Sequence, residues 1–137
     1  MISLLDLKKT KLEGDIILYH GGLPNTITLD LIDCNHLGIQ QNKRGKTYGG
    51  FYLVDESSRT WAEYYARQRN GTIHGFLIDS SSRISETNKV IDRLSQEERE
   101  GFACSFDLLK GKDLCGRIQY VLFNKSIIKN IGEDHIT

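Results

Sequence analysis

Gly49-Gly50-Phe51-Tyr52-Leu53-Val54-Asp55, running through Glu56-Ser57-Ser58-Arg59 into Thr60-Trp61-Ala62-Glu63-Tyr64-Tyr65-Ala66, is the stretch on which the reading of this chain turns. Two glycines lead into a β-prone run, and the Asp-Glu-Ser-Ser cluster that closes it favours a helix N-terminus. The stretch predicts a strand, a turn, and then a helix carrying Trp61, Tyr64, Tyr65 and Gln68, some of them on one face. Tyr52 and Tyr64 stand twelve positions apart across that corner, so one ring can fold back over the other. Two facing rings leave a slot for a flat, partly cationic heteroaromatic, held by stacking and cation–π attraction. Taken alone, the pair reads first as ordinary core.

The rest of the chain bounds the answer. With 137 residues, one domain with a single core is expected. Apolar residues make up 39% and charged residues 26%, an ordinary globular balance. Lys plus Arg equals Asp plus Glu at 18 each, so no overall basic field draws the chain to nucleic acid or an anionic membrane; Lys43-Arg44-Gly45-Lys46 is a local patch only. Cys34, Cys104 and Cys115 are scattered and odd in number, which argues against a disulfide framework and for a reducing compartment. No Cys/His grouping has zinc-site spacing, so no metal is expected. No apolar run approaches the roughly 20 residues that span a bilayer. Lys8, Lys9 and Lys11 follow the short apolar start, the reverse of a signal peptide. The expectation is a cytoplasmic protein, with delivery into another cell left open.

In chain order, residues 1–14 read as a lead-in ending at Gly14, and Asp15-Ile16-Ile17-Leu18-Tyr19-His20 reads as a buried strand stopped by Gly21-Gly22. His20 thus stands at a strand's end with backbone after it that a ligand can approach closely. A lone histidine is otherwise most often a satisfied core or loop residue. Leu23 to Leu37 reads as irregular or partly helical, and 38–48 as an exposed loop. Gly45-Lys46-Thr47 resembles the end of a P-loop, but Gln41 stands where that motif needs glycine. Gly71 breaks the helix, and Thr72 to Asp79 reads as the next strand. A helix is expected from about Glu86 to Glu100, with Gln96-Glu97-Glu98-Arg99-Glu100 as a solvated face carrying no chemistry. Leu108-Leu109 suggests a short helix, Arg117 to Phe123 a strand, and Ile127 to Ile131 a closing helix or strand. Strands at 15–20, 50–54, 72–79 and 117–123 with helices between them make an α+β chain.

Three pieces now stand in one order: Leu18-Tyr19-His20-Gly21, then Gly50-Phe51-Tyr52-Leu53 with Ala62-Glu63-Tyr64-Tyr65, then Gln119-Tyr120-Val121-Leu122-Phe123. In this the chain resembles the ADP-ribosyltransferase superfamily, in its diphtheria-toxin and poly(ADP-ribose) polymerase branch, whose mark is a histidine, a tyrosine and a glutamate from three strands. The likeness runs from about residue 15 to 131 of a single 1–137 domain and is closer still to small bacterial members. It implies split antiparallel and mixed β-sheets with flanking helices around an NAD cleft. It further implies NAD as substrate, with no metal, and a mono-ADP-ribosyltransferase that modifies a protein or nucleic-acid acceptor, as a bacterial toxin, effector or phage-defence enzyme. The alternatives are an inactive module binding NAD or ADP-ribose, and an NAD glycohydrolase.

By the same resemblance, Gly21 presents its backbone to the nicotinamide carboxamide and His20 bonds the adenosine-side ribose. Tyr52 and Tyr64 clamp the ring, with Tyr65 the alternative if the helix register differs, and Thr60 stands where a hydroxyl bonds the carboxamide. Gln119 falls on the position of the catalytic glutamate. Its amide oxygen can hold a ribose hydroxyl, but it offers only a dipole towards positive charge on the sugar and no base. Chain elongation is therefore not expected. Acceptor choice is expected to rest on the loops 38–48 and 101–116.

Overall fold

The computed structural model describes residues 2–22, 51–69 and 71–136, with the backbone of Gln40–Gln41 and Thr47–Tyr48. The expectations for 23–37, for Cys34, for Lys43, Arg44 and Lys46, and for Gly49-Gly50 lie outside the described residues. Within the stretch expected as an exposed loop, β2 (Gln40–Gln41) and β3 (Thr47–Tyr48) pair as an antiparallel ribbon.

Glycine decides how the first layer assembles. β1 (Ile16–Gly22), β5 (Thr72–Ile78) and β9 (Ile128–His135) form an antiparallel sheet in the order β1-β5-β9. Gly75 and Gly132 are cross-strand partners in it. A Cβ on Gly75 would lie 2.6 Å from Leu4 Cδ2, and one on Gly132 would lie 2.9 Å from Ser3 O. Two bare backbones side by side thus make the groove in which α1 (Leu4–Lys9) sits, burying Leu4 and Leu7. The second sheet has the order β4-β8-β7-β6, from β4 (Phe51–Leu53), β8 (Ile118–Leu122), β7 (Leu108–Lys112) and β6 (Ile84–Val90). It is mixed, since β6 runs parallel to β7 while the other pairs are antiparallel.

Alternation along each strand sorts side chains into layers. Leu18, Phe76, Ile78, Ile128 and Ile131 of the first sheet meet Leu53, Leu108, Tyr120 and Leu122 of the second in the central core. On the outer face of the first sheet, Tyr19, Ile73 and Leu77 pack with α1 and with Ala62 of α2 (Arg59–Gln68). On the outer face of the second, Leu109, Val121 and Phe123 pack with Ile91 and Leu94, and Phe102 and Ala103 of α3 (Gln96–Ser105) close over them. Each fully buried aliphatic side chain contributes about 1.5–3 kcal/mol. The architecture is α+β, with helices on both outer faces of two stacked sheets. Among the described residues no helix is long and apolar enough to cross a membrane.

Four expectations are corrected. The helix from Glu86 begins only at Gln96, and residues 84–90 are strand. β6 is polar because it lies at a sheet edge, half-buried at alternate positions; its ladder with β7, not its own composition, makes it a strand. The true helix start is Ser95, whose side chain accepts from Glu98 N while the Glu98 carboxylate accepts from Ser95 N, a complete capping box. Leu108 and Leu109 are strand rather than helix. Adjacent residues of a strand face opposite ways, and both leucines are fully buried, one in each core layer. The charge run at 96–100 is not wholly solvated, because Arg99 is 2% exposed. Residues 101–112, expected in part as a loop, belong mostly to α3 and β7, with the turn confined to the residues before β8.

Candidate functional site

β1 and β4 run together for one residue pair and then part. Tyr19 N–H donates to Val54 O at 2.7 Å, and Val54 N–H donates to Tyr19 O at 2.9 Å. This bridge is where the two sheets are stitched. Beyond it a cavity of about 170 Å³ opens, lined by Tyr19, His20, Gly21, Tyr52, Leu53, Val54, Trp61, Ala62, Tyr65 and Gln119.

The seam sets which backbone groups face the cavity. Residues two apart in a strand direct their N–H and C=O to the same side. Tyr19 uses both on Val54, so Gly21 directs its own pair to that side, where β4 has moved away. Gly21 is glycine for a packing reason as well, since an added Cβ would lie 1.7 Å from Ala62 O on α2. The strand and the helix backbone therefore approach closely at the cavity wall, and no other residue fits.

His20 is held at the rim. Its Nδ1 lies 3.3 Å from Tyr52 O, and a carbonyl only accepts, so Nδ1–H is the donor. In the neutral ring Nε2 is then left as an acceptor. The ring rests on Phe51, with centroids 4.8 Å apart. Burial lowers the His20 pKa below the ordinary histidine value, and the positive potential of His74 and Arg69 adds to this against the opposing Tyr52 bond. The neutral, Nε2-accepting form is thus the one present at neutral pH.

Tyr52 faces α3 as well as the cavity. Arg99 Nη1 donates to Tyr52 Oη at 2.6 Å, and Arg99 Nη2 donates to Ile91 O at 2.8 Å. The buried guanidinium thereby fixes the ring from behind. On the opposite wall, Trp61 and Tyr65 stand four residues apart on α2, and both line the cavity. Trp61 is covered by the Arg117 guanidinium, 3.3 Å from the ring centroid, and Arg117 is itself held by Asp113, Nε to Oδ2 at 2.9 Å. Gln119 comes from β8 on the same face as Val121, and its buried Oε1 has no hydrogen-bond partner among the described residues.

Of the site residues expected from sequence, His20, Gly21, Tyr52, Tyr65 and Gln119 come together in this cavity. Tyr64 does not line it; the ring is 48% exposed, and Gln68 Nε2 donates to its Oη at 2.7 Å. Thr60 is exposed and also outside the lining. Arg99 was missed. Its signal was the Ser95–Glu98 capping box, which starts a helix and puts Arg99, Phe102 and Ala103 on one face at i, i+3 and i+4. No protein-family model matches the chain, and no curated protein matches it either.

Proposed function

We propose that this chain is a mono-ADP-ribosyltransferase of the ADP-ribosyltransferase-like fold, using NAD to modify a macromolecular acceptor, protein or nucleic acid. The observation that carries the reading is that His20, Gly21, Tyr52, Tyr65 and Gln119, drawn from widely separated stretches, line one cavity. Its volume of about 170 Å³ is close to the roughly 150 Å³ cavity that takes a benzene ring. A nicotinamide ring fits there between Tyr52 and the Tyr65–Trp61 wall. The Gly21 N–H and C=O are a donor and acceptor matched to a carboxamide, and the Gln119 Oε1 awaits a hydroxyl donor.

The reaction breaks the ribose–nicotinamide bond, whose electron pair leaves with the ring nitrogen, and joins the sugar carbon to the acceptor's nucleophile. The proton of that nucleophile needs a base. Gln119 has none to offer, so the acceptor supplies its own. The residues of this chain bind and orient, and they keep water from the ring, which together account for much of such a barrier. The neutral Gln119 favours a second reading as well, an NAD- or ADP-ribose-binding module without transfer.

Nicotinamide release from NAD, measured with and without cell lysate, separates the two. Transfer predicts a labelled macromolecule, and Gln119→Glu raises nicotinamide release at least tenfold by restoring a carboxylate at the sugar. NAD binding without any release, in the wild type and in Gln119→Glu, overturns the enzyme and leaves the module.

A further inference from the structure

Trp61, Tyr64 and Tyr65 stand together on α2, and all three rings are exposed. Tyr64 meets the other two edge-on, with centroids 5.6 Å from Trp61 and 5.8 Å from Tyr65, so among the described residues no ring lies flat on it. Ala62 and Ala66, the aliphatic residues of the helix, are both buried. The apolar surface that α2 turns outward is therefore wholly aromatic. Guanidinium groups border it. Arg117 lies 3.3 Å from the Trp61 centroid and Arg69 5.9 Å from that of Tyr65, and Arg67 is exposed three residues after Tyr64. Glu63 and Asp113 answer Arg67 and Arg117, which leaves the charge of Arg69 as the local excess.

Trp61 and Tyr65 also line the cavity, and Tyr64 does not. A partner resting on Tyr64 thus lies beside the slot without filling it. Specific protein interfaces take roughly 20–30 residues from each side, which this handful of side chains does not supply. One nucleobase needs only one ring, because every base has a flat π face. Stacking on aromatics, with guanidinium groups along the backbone, is enough to hold a single strand. The formal net charge of the chain is zero, so such binding depends on the rings more than on an overall field.

We propose that the face of α2 formed by Trp61, Tyr64 and Tyr65 docks single-stranded nucleic acid, and that a base of the strand, held on Tyr64 beside the slot, accepts the ADP-ribosyl group. This rests on the transferase reading and names its acceptor. A ring nitrogen of the base is the nucleophile. Its lone pair forms the bond to the sugar carbon, nicotinamide leaves with the old electron pair, and a proton of the base passes to water. A nitrogen with a free lone pair attacks before it loses a proton, which suits a site where Gln119 offers no base.

Trp61 is the only tryptophan of the chain, so its emission reports stacking on this face. The full chain is titrated with a mixed-sequence DNA strand of about 12 nucleotides, with the same sequence as RNA, and with the DNA duplex, for the wild type, Tyr64→Ala and Tyr64→Phe. Each protein is also titrated with NAD by calorimetry. A single strand should quench Trp61, and the duplex, whose base faces cover one another, should bind about tenfold more weakly or worse. Tyr64→Ala should weaken the strand about tenfold, Tyr64→Phe should bind it as the wild type does, and neither should change NAD binding. Binding confined to the DNA or the RNA strand identifies the sugar that the surface accepts. Equal strand affinity in the wild type and Tyr64→Ala, or a duplex bound as tightly as the strand, overturns the docking surface. Label passing from NAD to a lysate protein and to neither oligonucleotide overturns the acceptor. NAD bound with no strand bound also overturns the surface and spares the slot. A strand bound with no NAD bound removes the transferase reading and the acceptor role with it, and leaves the docking surface standing.

Discussion

On the β4 side of the cavity Tyr52 is fixed from behind, its hydroxyl accepting from a guanidinium that is itself 2% exposed and bonded to Ile91 O. On the α2 side Trp61 and Tyr65 are 36% and 44% exposed, and their ring contacts are chiefly with each other, with Tyr64 and with two arginines. The first wall is set by buried hydrogen bonds, which are costly to break. The second is set by aromatic edges at the surface, which swing between rotamers at little cost. A slot with one rigid and one adjustable wall has its position decided by β4 and its width by α2. Substitutions on the rigid wall should therefore register in folding, and those on the adjustable wall only in binding.

Gly21 belongs to neither wall but to the line where they meet, and it carries the largest expected effect. In Gly21→Ala the new methyl would lie 1.7 Å from the Ala62 carbonyl oxygen, a backbone atom that cannot rotate away. Either α2 lifts off β1 or the strand bends, at about 3 kcal/mol or more. Thermal unfolding should show a melting temperature lowered by about 10 °C. An unchanged melting temperature would mean that the walls are not pinned together at Gly21 and that their contrast has another origin.

Arg99→Met comes next, keeping the aliphatic stem while removing the donors to Tyr52 Oη and Ile91 O. Losing donors to buried acceptors costs about 2 kcal/mol, readable in a urea titration. Tyr52→Phe removes the other partner, and the double mutant should cost about 1 kcal/mol less than the sum of the two single changes. Additive costs would show that Arg99 supports α3 alone and that the rigidity of Tyr52 comes from elsewhere.

The contrast between the walls also explains what could be read beforehand. β1 and β4 announce themselves, since glycine punctuation beside β-branched and aromatic residues admits few other structures, whereas His20, Gly21, Tyr52 and Gln119 are grouped only by the resemblance to a known family and not by composition or spacing. β6 does not, because Ser85-Glu86-Thr87-Asn88-Lys89 has no apolar period and becomes a strand only through its parallel partner Leu108–Lys112. Arg99 is concealed within a run of charges, where composition says solvent and only the helix phase says core. Tyr64 and Tyr65 are one residue apart, about 100° around a helix. Both have the chemistry of a clamp, so phase alone separates them, and phase depends on where the helix starts. Here Asp55 caps a short 3₁₀ turn, Glu56–Ser58, before Arg59 opens α2, an offset that residue types do not encode.

That one-residue ambiguity makes the smallest expected effect on stability the sharpest test of the adjustable wall. Tyr64 and Tyr65 are both close to half exposed, so Tyr64→Ala and Tyr65→Ala should each leave unfolding free energy within about 0.5 kcal/mol of the wild type. Only Tyr65 lines the cavity. If the cavity takes NAD as proposed, Tyr65→Ala should weaken that binding by about 1 kcal/mol, the scale of one aromatic contact, and Tyr64→Ala should leave it unchanged. The reverse pattern would require α2 to turn by one residue on binding, breaking the Gln68–Tyr64 hydrogen bond and uncovering Trp61 from Arg117. The second wall would then be a moving element rather than a loosely set one. Equal losses from both variants would mean that the two rings act only as a pair, each holding the other's rotamer, and that the width of the slot belongs to the cluster and not to Tyr65.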